Sequence, residues 1–148
     1  MHRRRGLLHL PIPWGNEPNY PQVALQAGHR CEYCHAPEAV FNFPLEVEHI
    51  VPLSRGGDDT AANWALACRA CNLYKATHLR GSDPESHRVV RLFHPREDRW
   101  EDHFTVATMS GEIVGCTPTG RATVARLEMN SMAQVTARLQ WMRLGLFP

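Results

Sequence analysis

Three strings organise this chain: Cys31-Glu32-Tyr33-Cys34, Glu48-His49-Ile50-Val51-Pro52, and Cys68-Arg69-Ala70-Cys71-Asn72-Leu73-Tyr74-Lys75. The first and last each carry a Cys-x-x-Cys pair, with 33 residues between Cys34 and Cys68. A Cys-x-x-Cys turn brings two thiolates to one ion, and two such turns complete a tetrahedral shell without water. Cys31, Cys34, Cys68 and Cys71 are therefore expected to hold a structural Zn2+, against the plainer reading of buried free thiols. Cys31-Glu32-Tyr33-Cys34-His35 also matches the haem-attachment string. Covalent haem of that type needs export, for which the chain has no convincing signal, and it would leave the second pair unexplained. Disulfides are disfavoured in a cytoplasmic chain. The fifth cysteine, Cys116, reads as a small buried apolar residue.

Outward from these strings, residues 43–50 alternate in character and read as a strand that stops near Pro52. Ser54-Arg55-Gly56-Gly57-Asp58-Asp59 is loop chemistry. Residues 64–68 read as a second strand and residues 72–79 as a helix. A short helix is expected over residues 22–28. Residues 81–84 read as a linker or turn. A β-hairpin is expected around Met109-Ser110-Gly111, and a helix over 119–130. Ser131-Met132-Ala133-Gln134 resembles a capping box. It introduces a last helix whose Met132, Val135, Leu139 and Met142 form an apolar stripe, with Gly145 as its cap. The fold class is α+β: a small ββα core clamped by the cysteines, with a C-terminal hairpin and helices packed on it. Residues 1–21 form a basic irregular arm, 22–80 the core, and 81–148 an α+β appendage.

The order strand, glycine-rich loop, strand, helix resembles the HNH endonuclease family, with its ββα-metal (His-Me finger) core, in the branch bearing two Cys-x-x-Cys pairs. The resemblance covers roughly residues 30–80. It rests on Glu48-His49-Ile50-Val51-Pro52, the Gly56-Gly57 loop, Asn63, Cys68-x-x-Cys71 and Asn72-x-x-Lys75, in family order. Glu48 stands where Asp is usual and Asn72 where His is an alternative; the family accepts both. The resemblance implies catalytic roles for His49, Glu48, Asn63 and Asn72. His49 would be the general base, since imidazole has an unperturbed pKa near ~6.5. Glu48 and Asn72 would offer oxygens to a catalytic Mg2+ or Mn2+, which needs few protein ligands beside water and phosphate. Asn63 would hold the loop carrying His49. A helix beginning near Asn72 would aim its positive end at an anionic phosphate. Glu48 and His49 are neighbours on a strand and point to opposite faces, so sharing one site requires the strand to end or kink there. Lys75 either contacts phosphate or packs its stem on the helix. Arg55, Arg69 and Arg80 are expected DNA-backbone contacts, or else solvent-facing charges. His35 and His78 stand near ligands, but four cysteines already fill the zinc shell.

The 148 residues carry a formal net charge of +1, so global charge does not point to a nucleic-acid partner. Locally, residues 31–68 hold six acids and one base, and residues 69–100 seven bases and four acids. Fifteen of the sixteen basic residues are Arg, which suits bidentate phosphate contacts but also follows from GC-rich coding. Arg88, Arg91, Arg96, Arg99 and Trp100 either extend a nucleic-acid surface or belong to the folding appendage. No stretch approaches the ~18–20 apolar residues of a membrane span. The expectation is a cytoplasmic, metal-dependent endonuclease acting on double-stranded DNA, a monomer or weak dimer with no inferable protein partner. The alternatives are a zinc-ribbon nucleic-acid-binding module without catalysis, and an RNA-directed nuclease.

Overall fold

The computed structural model describes residues 17–148; most of the expected basic arm, residues 1–16, lies outside the described residues. The architecture is α+β, with three antiparallel two-stranded sheets among the described residues.

The first sheet pairs β1 (Glu46–His49) with β2 (Trp64–Ala67), in a register that sets Glu48 opposite Ala65 and His49 opposite Trp64. α1 (Tyr20–Gln26) packs on both strands, burying Tyr20, Val23 and Ala24. α2 (Arg69–Lys75) follows β2 directly and also packs on β1 and β2, completing the ββα unit. β1 begins later than its alternation suggested. It ends at His49, in a bend over Ile50 and Val51. The chain therefore turns where Glu48 and His49 need it to.

α2 begins at Arg69, three residues before the expected start, with Cys68 as its N-cap. Asn72 is thus the fourth helical residue. One first-turn amide serves sulfur: Cys71 N–H donates to Cys68 Sγ at 3.5 Å. The N-terminal knuckle repeats this contact, with Cys34 N–H donating to Cys31 Sγ at 3.5 Å. That knuckle docks on β2, where Glu32 N–H donates to the Leu66 carbonyl and Leu66 N–H to Glu32 Oε2, both at 2.8 Å.

Residues 81–84, expected as a linker or turn, end β3 (Arg80–Ser82) and enter the turn of a hairpin with β4 (Val89–Arg91), a strand pair the sequence reading did not include. Its turn is held by Asp83, which is fully buried. Asp83 accepts from Glu85 N–H and Ser86 Oγ, and takes a bidentate pair from Arg121 at 2.8 and 2.9 Å. The short α3 (Trp100–His103) leads into the hairpin of β5 (Phe104–Ala107) and β6 (Glu112–Gly115), which matches expectation. α4 (Pro118–Arg126) packs across β3, β4 and β6, tying both hairpins together.

α5 (Met132–Arg143) starts as expected, with Ser131 Oγ accepting from Gln134 N–H, and ends at Gly145 in the left-handed region (φ +70°). Of the expected stripe, Val135, Leu139 and Met142 are half-buried and Met142 packs on the core, while Met132 is 86% exposed. Arg138 and Trp141 are the buried pair, at helical i, i+3 spacing. Arg138 donates to the carbonyls of Gly111 (2.6 Å) and Met129 (2.8 Å) and lies over the Phe147 ring. It thereby satisfies two carbonyls that would otherwise be desolvated without a partner.

The C-terminal segment packs against the first knuckle. Arg96 grips Glu32 at 2.5 and 2.8 Å, the Trp100 indole donates to the Tyr33 carbonyl at 2.8 Å, and Trp100 stacks on His35 at 4.0 Å. Arg91 pairs with Asp98. Arg96 and Trp100 are thus engaged within the protein, whereas the Arg91 side chain is paired but 54% exposed. Cys116, expected to be buried, is exposed on the segment after β6.

Candidate metal centre and cleft

The four cysteines of the two knuckles converge. Their sulfurs all lie within 4.8 Å of one another, and all four residues are buried. Cys34 Sγ and Cys68 Sγ are 3.7 Å apart. A tetrahedron with metal–sulfur bonds of ~2.3 Å has sulfurs about 3.8 Å apart, so the cluster has the dimensions of a closed four-thiolate site. The sulfurs also perturb each other. Contact with Cys31, then Cys68, pushes the Cys34 thiol up; contact with Cys31, then Cys34, raises Cys71; and hydrogen bonds led by Cys31 draw Cys68 down. Four buried thiolates repel one another, and a divalent cation at their centre relieves that repulsion.

Tyr33, between the two cysteines of the first knuckle, is fully buried. Its hydroxyl donates to Glu48 Oε1. Lys75 Nζ donates to Glu48 Oε2 at 3.0 Å and to the Ile50 carbonyl at 2.9 Å. Side-chain exposure is 4% at Glu48 and 2% at Lys75, so this is a buried ion pair. Burial raises the Glu48 carboxyl above its ordinary range, while Lys75 and Tyr33 pull it back. The Tyr33 phenol is pushed up by burial first and by Glu48 second. Lys75 thus takes an internal role in place of an exposed phosphate contact. Its ammonium holds both the Glu48 carboxylate and the backbone where β1 ends. Parity offered a signal for this. Glu46 and Glu48 share one strand face, Asn72 and Lys75 are i, i+3 on the helix, and the two faces meet.

Asn63 sits at the end of a short 3-10 turn and is 8% exposed. Its carboxamide accepts from Val51 N–H at 2.8 Å and donates to the carbonyls of Val51 (2.9 Å) and Asp58 (2.8 Å). It closes the loop that follows His49. Gly57 makes the closure possible, because a Cβ there would lie 1.9 Å from the Val51 carbonyl oxygen. Gly56 (φ +84°) supplies the left-handed residue ending the turn at Leu53–Arg55. In this closed loop Asp59 Oδ1 lies 2.8 Å from His49 Nε2 and accepts from the Trp64 indole at 2.9 Å. The His49 hydrogen bond, and then that of Trp64, lower the Asp59 carboxyl below its usual range.

An open cleft of about 320 Å³ is lined by Glu48, His49, Pro52, Leu53, Asn72 and Ala76. Asn72 Nδ2 donates to Glu46 Oε2 at 2.5 Å, and Arg69 holds Glu46 Oε1 at 3.0 Å. Arg69 therefore has a protein partner although its side chain is exposed. Arg55 is exposed at the loop end, and Arg80 is exposed while donating to the Val89 carbonyl. His78 is half-buried just after α2. Sequence reading missed Tyr33, Glu46 and Asp59.

Residues 31–77 match the family model described as HNH endonuclease. That matched segment contains the cysteine cluster, the His49 loop and α2, and covers about a third of the chain. No curated protein and no solved structure matches the chain significantly. No described helix is long and apolar enough to cross a membrane.

Proposed function

We propose that the chain is a metal-dependent endonuclease that hydrolyses phosphodiester bonds in DNA, with double-stranded DNA as its substrate. The observation that carries this reading is the meeting of Glu48, His49 and Asn72 in one open cleft within the HNH segment. The cysteine cluster takes Zn2+, whose preference for four soft ligands suits its donor set and sulfur spacing.

Glu48 and Asn72 are the residues that would hold a catalytic Mg2+ or Mn2+. The Asn72 amide nitrogen is committed to Glu46, which leaves its carbonyl oxygen free as a hard donor. Tyr33 and Lys75 use two of the roughly four lone-pair sites of the Glu48 carboxylate, so acceptor capacity remains. When bound, the cation supplies charge stabilisation at the scissile phosphate and its leaving oxygen.

His49 acts as general base and takes the proton of the attacking water, which makes that water nucleophilic at neutral pH. Asn63 and Gly57 set the loop that positions the imidazole. Lys75 holds the end of β1 through the Ile50 carbonyl, so Glu48 and His49 keep a fixed relation to the cleft. The products are a 5′-phosphate and a 3′-hydroxyl.

The test is nicking or linearisation of plasmid by purified protein with Mg2+ or Mn2+, stopped by EDTA. His49→Ala should abolish cleavage while keeping the fold and the bound zinc. DNA binding without cleavage across several divalent ions would contradict the reading, and preferential cleavage of a matched RNA duplex would reassign the substrate.

A further inference from the structure

The closed loop after β1 does more than bring His49 to the cleft. Asp59 Oδ1 lies 2.8 Å from His49 Nε2, and the same oxygen accepts the Trp64 indole N–H at 2.9 Å. Trp64 stands directly opposite His49 in the β1–β2 register, so the sheet itself delivers the indole to this carboxylate. Asn63 fixes the backbone from the other side, by taking the carbonyl of Asp58, the residue before Asp59. Asp59 is therefore gripped at its side chain by one strand and at its backbone by the loop closure. An exposed carboxylate restrained in this way is poised to hold the imidazole, with the Asn63 hydrogen bond to the Asp58 carbonyl and the Trp64 indole limiting its freedom.

We infer that Asp59 is a positioning residue for His49: its carboxylate accepts the Nε2–H and leaves Nδ1 as the nitrogen that takes the water's proton. The inference rests on the proposed role of His49 as general base and assigns the atom that performs it. The chemistry follows from the two nitrogens of a neutral imidazole, of which one donates and the other accepts. A carboxylate can only accept from the ring, so the nitrogen facing Asp59 carries the hydrogen. The other nitrogen keeps its lone pair. During proton transfer Nδ1–H forms as the water O–H breaks, and the resulting imidazolium is stabilised by the adjacent carboxylate. Trp64 is the support for Asp59 and touches neither substrate nor water in this scheme.

The test uses the full-length zinc-loaded protein and two readouts. The first is the 15N NMR signature of the His49 ring in the absence of divalent cation other than zinc, at a pH high enough to keep the ring neutral. Wild type should show the Nε2–H tautomer, and Asp59→Ala should show a mixture of the two tautomers. The second is plasmid cleavage. Asp59→Ala should lower kcat roughly 10- to 100-fold, the range found when an orienting partner is lost, with KM for DNA little changed. Asp59→Asn, which can still accept through its carbonyl, should recover part of that loss. Trp64→Phe should fall between wild type and Asp59→Ala. Unchanged zinc content and melting temperature in Asp59→Ala would separate positioning from folding. An Nδ1–H tautomer in wild type, or an unchanged tautomer together with full kcat in Asp59→Ala, would overturn the inference. If wild type cleaves no nucleic acid, the nuclease reading fails, while the NMR readout still judges the Asp59 contact by itself.

Discussion

Replacing Lys75 by Met separates its two expected roles. In the structure the Lys75 ammonium is 2% exposed, 3.0 Å from Glu48 Oε2 and 2.9 Å from the Ile50 carbonyl. Met fills most of the stem's volume but removes the charge and the donors. The Glu48 carboxylate would then be left buried, with Tyr33 as its remaining hydrogen-bond partner. Breaking a buried ion pair from one side costs about 3–5 kcal/mol. For a chain of this size that corresponds to a fall in melting temperature of roughly 6–20 °C. Urea unfolding of the zinc-loaded protein measures the free energy, and metal content must be matched between variants. The double variant Glu48→Gln/Lys75→Met should be less destabilised than the sum of the singles, with a coupling of about 1–3 kcal/mol, because neither charge is then orphaned. An exposed phosphate contact behaves differently. Stability within about 0.5 kcal/mol of wild type, together with weaker DNA binding and a shallower salt dependence, would refute the buried-pair account and restore Lys75 to the interface.

Further outcomes follow from other contacts. Cys71→Ser should release zinc and lower both stability and cleavage, because Asn72 follows Cys71 directly in α2; metal analysis and circular dichroism check this, and retention of fold and full cleavage would refute the coupling. Asn63→Ala removes three hydrogen bonds within one loop and should cost about 2–4 kcal/mol by urea unfolding, while zinc stays bound. Asp83 is held well below the usual carboxylate range, first by Arg121, so its stabilising contribution is present above the unfolded pKa of ~3.9 and is lost as pH falls toward the folded value. Asp83→Asn should therefore be less stable than wild type at neutral pH, with the gap closing in acid, as read by melting curves between pH 7 and 3. Thiol titration of the metal-loaded native protein should count one reactive cysteine, the exposed Cys116, and five after chelation and unfolding.

The two Cys-x-x-Cys pairs and the order of elements between them were legible because ligand spacing and strand alternation are local signals. The cluster within 4.8 Å and the ββα unit match what those signals implied. The later hairpin over residues 104–115 and the Ser131 cap were legible for the same reason. What escaped the sequence was mostly long-range. Tyr33, Glu48 and Lys75 come from the first knuckle, β1 and α2, so their buried contact was not legible, although Glu48 was expected as a cation ligand and Lys75 as a phosphate contact or a packed stem. The helix start moved from Asn72 to Arg69 because Cys68 Sγ serves as a cap, a role thiols seldom signal in sequence. In α5, apolar periodicity located the half-buried Val135, Leu139 and Met142 but wrongly included the exposed Met132, and it could not show the fully buried Arg138, whose guanidinium is needed at two carbonyls. The turn near residues 81–84 was legible as a linker or turn, but the strands of the 80–91 hairpin were not, and the lock on its turn, Arg121, lies 38 residues from Asp83. Placing Glu48, His49 and Asn72 in one cleft required the bend that ends β1, and that bend is held by Lys75 and Asn63 from outside the strand.

The central claim concerns chemistry at that cleft, and plasmid cleavage with end mapping, run on wild type and His49→Ala at matched zinc content, tests it most directly. The account predicts cleavage by wild type that depends on Mg2+ or Mn2+ and leaves 5′-phosphate and 3′-hydroxyl ends, with none by the variant. Equal cleavage by the two proteins, or none by wild type with any divalent ion, would contradict it.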